Sequence, residues 1–164
     1  MQGEAESVKP AEQLALLQDF YRDRLALMNR HVEGARIVAD YEFNNTYQYI
    51  VAREEVHMSW LRAAVEDLGG TVPTDIKNFP IPGGQLAVIE DDVRQAQAFI
   101  DRWRERVEKL TNARHRNMLK VILGEVLEHK RFFEQAKVGR DDLLGRRMKG
   151  ASTGDGVLPT RWIS

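Results

Sequence analysis

The chain has 164 residues, with 24 Lys and Arg against 25 Asp and Glu and no cysteine. That length suits one domain with a single hydrophobic core, and a net charge of -1 offers no general attraction to nucleic acid or an acidic membrane. Without cysteine there is no disulfide framework, thiolate metal site or cysteine nucleophile, so any metal must be held by carboxylates and histidines.

Residues 1–9 are polar and expected to be flexible, with no apolar block of the signal-peptide kind in the first thirty residues and no run of about 18 apolar residues anywhere. A cytoplasmic protein without membrane contact is the expectation. Pro10 can open a helix, since the amide hydrogen it lacks would be unpaired there. Leu14, Leu17, Tyr21, Leu25, Met28, Val32, Ala35 and Ala39 then recur at steps of three and four, predicting one long amphipathic helix. It should end near "DYEFNNTY", with Asn44 and Asn45 as turn and capping residues, and a second helix should run to the "LGG" at Leu68 to Gly70.

Residues 69–88 are rich in glycine and proline and predict a long connection. About nineteen extended residues reach roughly 60 Å, more than the length of a helix of about 25 residues. The loop can therefore cross the whole bundle and start the third helix parallel to the second. That helix is predicted over Ile89 to Leu110, with Val93, Ala96, Ile100, Trp103, Val107 and Leu110 as its seam. "TNARH" makes the next turn, leaving His115 solvated. The fourth helix carries Met118, Val121, Glu125, Glu128 and Phe132 inward and fades near Val138. Residues 140–164 are expected to be a flexible tail whose apolar end, "VLPTRWIS", would dock on the bundle or on a neighbouring subunit. The fold class is therefore all-α, an up-down four-helix bundle with one long crossover between helices 2 and 3.

The second helix, projected as heptads, puts Tyr47, Ile50, Glu54, His57, Leu61, Ala64 and Leu68 on one stripe. Burying an unpaired carboxylate there would cost several kcal/mol, comparable with the whole stability of a domain. The fourth helix repeats the anomaly with Glu125 and Glu128, and with His129 beside them. Counted from the helix ends, the two anomalies fall within about one turn of about 5.4 Å in height. Carboxylates and imidazoles gathered in a core repel one another unless cations lie between them, and oxygen donors with imidazole suit iron, manganese or zinc.

These residues resemble the ferritin-like diiron-carboxylate proteins, rubrerythrin-like chains in particular, over about residues 12 to 138. In that arrangement two helices each give a Glu and the other two each give a Glu followed three residues later by a His. "REEVH" matches through Glu54 and His57, and "GEVLEHKRFFEQAK" looks like the last-helix motif through Glu125, with Glu128 or His129 in the following position. The third helix departs from the pattern, having Ala96, Gln97, Ala98 and Phe99 where a Glu is expected; the first offers His31 and Glu33.

The resemblance implies iron, one or two ions per chain, with manganese or zinc as substitutes, and O2 or peroxide as acceptor in iron handling or oxidation. Oxidase, peroxidase and oxygenase chemistry all remain open. It implies Glu54 and Glu125 as bridging or chelating ligands, a separate electron-donor protein, and a homodimer paired along helices 1 and 2. The competing expectation is a metal-free structural or interaction bundle that keeps the same residues as a buried hydrogen-bonded network.

Overall fold

Pro10 opens the first helix, and Glu12 accepts a hydrogen bond from the Lys9 amide at 3.2 Å, satisfying a donor that the helix start would otherwise leave free. The structure, a computed structural model, describes residues 9–78 and 80–139. The N-terminal stretch apart from Lys9, and the C-terminal tail, lie outside the described residues.

Four helices form in chain order: α1 (Pro10–Ile37), α2 (Tyr41–Asp67), α3 (Gln85–Glu108) and α4 (Ala113–Lys137). The α1–α2 turn is tighter than expected. Asp40 caps α2 by accepting from the Glu42 and Phe43 amides, so Asn44 lies inside the helix rather than before it. Asn44 still acts as a cap, for the preceding helix: its amide donates to the Ala35 and Val38 carbonyls at 2.7 and 3.0 Å. At the far end α2 stops where Gly69 adopts a φ of 82°, a left-handed geometry that glycine takes without a Cβ penalty.

Helix α1 packs on α2 and on α3, and α4 packs on α3 and on α2. Asp23 meets Arg102 and Trp103 while Arg30 meets Asp91, so α1 and α3 are antiparallel. Arg53 meets Glu125 and Asp67 meets Arg114, so α2 and α4 are antiparallel too. Helices α2 and α3 therefore run parallel, as the long connection implied. That connection climbs beside α1: Gln18 donates to the Thr71 carbonyl at 2.9 Å, Arg22 pairs with Asp75 at 3.2 Å, and Asn29 donates to Asn78 at 2.9 Å. No helix among the described residues is long and apolar enough to cross a membrane.

Burial corrects two of the expected seams. The buried stripe of α1 is Leu17, Phe20, Arg24, Leu27, His31 and Gly34, whereas Leu14, Leu25, Met28 and Val32 are only partly buried and Ala39 is exposed. On α4 the buried residues are His115, Leu119, Ile122, Val126, His129, Phe133 and Ala136, one position round from the predicted Met118, Val121 and Phe132. His115 is thus buried rather than solvated, and its Nδ1 lies 2.8 Å from the Gln13 amide of α1. Both predictions missed because a helix with apolar residues on a broad face has several admissible stripes. Its neighbours choose among them.

The core comes in two apolar clusters. The larger joins Phe20, Phe99 and Trp103 edge to face, with centroids 5.3 and 4.9 Å apart from Phe20, to Leu61, Leu119 and Ile122. The smaller holds Val38, Tyr47, Ile50, Val88, Ile89 and Phe133. Gly34 permits the close approach of helices at this smaller cluster, because a Cβ built there would lie 3.1 Å from Val88 Cγ1 and 3.2 Å from Tyr47 Cε2. Between the clusters lies a layer of polar side chains.

Candidate functional site in the bundle core

The polar layer centres on Glu54, contributed by α2 and wholly buried. Arg24 of α1, also wholly buried, donates from Nη1 to Glu54 Oε2 at 2.6 Å, and its Nη2 lies 3.2 Å from His57 Nδ1. An arginine can only donate, so His57 Nδ1 must be the bare acceptor nitrogen and the ring proton sits on Nε2. That Nε2 lies 3.1 Å from Glu125 Oε1, close but off the line of a good hydrogen bond. Glu125 stands at the edge of the bundle with its side chain 21% exposed. Arg53 grips it there through Nε and Nη2 at 2.9 and 2.8 Å.

On the other side of Glu54, His31 of α1 places its Nδ1 2.9 and 2.8 Å from the two carboxylate oxygens. His31 Nε2 lies 3.9 Å from Asp92 of α3, and the Tyr47 hydroxyl donates to Asp92. A continuous polar line therefore crosses the core: Arg53, Glu125, His57, Arg24, Glu54, His31, Asp92, Tyr47. His129 lies beside it, buried, near enough to Glu54 and Arg24 to feel both charges.

The electrostatics follow from burial and these partners. Burial pushes Glu54 up, but His31 and Arg24 outweigh it and hold the carboxyl at about 2. Glu125 is likewise raised by burial and brought down to about 2 by His57 and Arg53. Burial pushes His129 down to about 3 and lowers His57 as well, so both rings are neutral at pH 7. His31 is also penalised by burial, yet the Glu54 charge raises it. Asp92 is raised by burial despite His31. Burial, with Asp92 adding to it, raises Tyr47 far beyond the range in which a phenol ionises.

The structure thus brings Glu54, His57, Glu125, His129 and His31 together. It leaves Glu33 out: that side chain is 54% exposed and pairs with Arg36 along the helix surface at 3.5 Å. Glu128 is half-buried and faces the Arg53 side of α4, while the neighbouring His129 is the residue turned inward. Three members were absent from the expectation. Arg24 shares the buried α1 stripe with Leu17, Phe20, Leu27 and His31, a three-and-four spacing visible in the sequence once the helix is phased that way. Arg53 sits directly before the motif in "REEVH". Asp92 supplies a buried acidic group from α3, a turn before Ala96.

The fit to a two-metal centre fails on its donors. The carboxylate expected from α3 at residues 96–99 is absent, the α3 carboxylate in the layer, Asp92, is held by the Tyr47 hydroxyl, and the guanidinium of Arg24 lies between Glu54 and His57, the two residues that the α2 motif would turn toward a metal. Among the described residues no group of three or more His, Asp or Glu side chains is arranged to hold a metal ion. A hard cation entering the layer would meet a fixed positive charge there.

No protein-family model matches this chain, nor does any curated protein sequence. Among solved structures it is similar to one described as "ferritin like, diiron-carboxylate proteins from Bacillus anthracis str. Ames", with a TM-score of 0.67 at 15% identity, covering 78% of this chain and 96% of that one. An agreement of backbone at so low an identity speaks to architecture: this chain has the ferritin-like four-helix fold.

Proposed function

We propose that this ferritin-like bundle is a metal-independent helical structural or interaction protein, in which a buried network of charged side chains takes the place of a diiron centre. One observation carries the reading. Both motif carboxylates, the buried Glu54 and Glu125 at the bundle edge, already have cations from the chain itself, Arg24 on Glu54 at 2.6 Å and Arg53 on Glu125 at 2.8 Å. A buried carboxylate satisfied in this way no longer needs a metal to make its burial tolerable. The network then serves to set the register of the four helices, since each of its pairs joins two different helices and a slipped bundle would strand them.

A second reading keeps the expectation of iron handling or oxidation with O2 or peroxide, through a single ion rather than two. The observation favouring it is that, among the described residues, both nitrogens of His129 and Nε2 of His31 are buried in this layer without a hydrogen-bond partner. Unpaired buried nitrogens of this kind invite water or a metal. The solved neighbour described as a diiron-carboxylate protein adds weight to the choice of iron.

Elemental analysis of protein purified without chelator or a histidine tag, joined to thermal melts with and without Fe(II), separates the two. The metal-free reading expects well under one ion per chain and an unchanged Tm, because only a ligand that binds the folded state stabilises it. Close to one iron or zinc per chain, with a raised Tm that is lost in His129→Leu, would replace it with the single-ion reading.

A further inference from the structure

Gly124 sits in the middle of α4 without a positive φ, and a Cβ built on it would meet nothing within 4 Å. Glycine is the least favourable residue in a helix interior after proline. Neither the backbone nor the packing of this chain calls for one here. What a glycine on an exposed helix face does permit is the close approach of a second backbone from outside. The residues around it indicate which backbone. On the same face of α4, Lys120 lies four positions before Gly124 and Glu128 four after, Val121 three before and Leu127 three after, Asn117 seven before and Arg131 seven after. Two such helices laid antiparallel about a two-fold axis through Gly124 bring Lys120 against the partner's Glu128, Val121 against the partner's Leu127 and Asn117 against the partner's Arg131, each contact made twice. We propose that this face of α4 is the interface of a homodimer, with Gly124 at its axis.

The face has the character such an interface needs. Val121 is 49% exposed, an apolar side chain that this chain leaves in water. Glu128 is half-buried and has no hydrogen bond or ion pair among the described residues, its charge reaching Arg53 only at a distance. Lys120 is held only by Glu108 at 3.0 Å, where both side chains are about half exposed and the pair is worth little. One helix crossing alone is small beside the roughly 800 Å² that each partner gives to a stable interface. Helix α2 widens it. Since Arg53 meets Glu125, Val56 lies at about the height of Gly124, and with the exposed Ala52 and Ala63 it continues the face in small, uncharged side chains. This pairing differs from the one along helices 1 and 2 that the resemblance implies. It goes beyond the structural and interaction reading by naming a partner and a face, and it holds whether or not the core binds a metal.

Sedimentation velocity of the full chain tests it at concentrations up to about 100 μM, a range that covers micromolar interfaces. The wild type is expected to dimerise. Gly124→Glu sets two carboxylates against each other on the axis and should weaken the dimer at least about 10-fold, while circular dichroism shows the helices intact. Lys120→Glu and Glu128→Lys each place like charges opposite one another and should weaken it similarly, whereas the double variant restores opposite charges and should return it to near the wild-type affinity. A wild type that stays monomeric, a dimer indifferent to Gly124→Glu, or a double variant no tighter than its single parents overturns the proposal.

A second test does not depend on the charge variants folding. The chain has no cysteine, so Gly124→Cys carries a lone thiol on the axis, and a disulfide between copies forms only if their Cα atoms come within about 7 Å. Mild oxidation should link Gly124→Cys far faster than Glu33→Cys, a control on the exposed surface of α1. Equal rates overturn the α4 axis. Iron found by elemental analysis would replace the metal-free reading and leave this interface untouched, so the two fail separately.

Discussion

Arg24 and Glu54 stand thirty positions apart in the chain and meet at 2.6 Å in the centre of the bundle, each without solvent contact. Neither charge is tolerable there alone, and the value of the pair differs sharply from the cost of breaking it. Removing one partner leaves the other buried and uncompensated, at a cost of about 3–5 kcal/mol, whereas replacing both by apolar groups of similar volume is often close to neutral. Urea unfolding of Arg24→Met and Glu54→Leu should therefore each show a loss of about that size, with the double variant more stable than either single one. Additive losses in the double variant would mean that the two residues do not act as a pair.

Stability should fall in acid in two stages. His129 is held at about 3 in the folded chain against an ordinary 6.5, so the unfolded chain binds a proton that the folded chain refuses. Its stabilising contribution is full above about pH 6.5 and is lost as the pH falls toward 3. Glu54, held at about 2 against an ordinary 4.5, adds a second loss below about pH 4.5, on the order of 3 kcal/mol in all. His31 is raised, so its contribution has the opposite sign: present below about pH 6.5 and lost as the pH climbs through its folded value. Unfolding free energies measured from pH 7 to pH 4 should decline, and His129→Leu should flatten the slope between pH 6.5 and 4.5 by about 1.4 kcal/mol per pH unit, one proton's worth. An unchanged slope in that variant would show that His129 is not the buried neutral base described here.

The first helix offers a direct contrast between two candidate residues two positions apart. His31 holds both oxygens of Glu54, and its loss should destabilise the fold by about 1.5–3 kcal/mol, as for a hydrogen bond to a charged group. Glu33 is on the surface, and Glu33→Ala should change the unfolding free energy by less than about 0.5 kcal/mol. Equal effects in chemical denaturation would show α1 rotated from the orientation found.

Gly34→Ala tests the close packing of α1. Alanine would gain about 1 kcal/mol in helix propensity, but its Cβ would press on Val88 and Tyr47, both buried and the second tied to Asp92 by its hydroxyl. Overpacking of this kind costs about 1–3 kcal/mol, so a net destabilisation near 1 kcal/mol is expected in thermal or urea melts. A more stable variant would place slack at this contact.

Four helices, the long connection that makes α2 and α3 parallel, and the common height of Glu54, His57 and Glu125 were all legible along the chain. Each follows from local rules: helical period, glycine and proline breaks, and a fixed rise per residue. The inward turn of the second helix was legible because Tyr47, Ile50, Leu61 and Ala64 leave little choice of face, and all are buried. Packing between helices settled the rotation of α1 and α4 about their own axes, and with it the entry of Arg24 and His129 and the exclusion of Glu33. A one-position rotation is nearly free in an isolated helix with a broad apolar face, so the choice rests with the surfaces it packs against. The same holds for charge: that a carboxylate is buried can be read along one helix, but whether its cation is a metal or an arginine depends on which side chain of another helix arrives beside it.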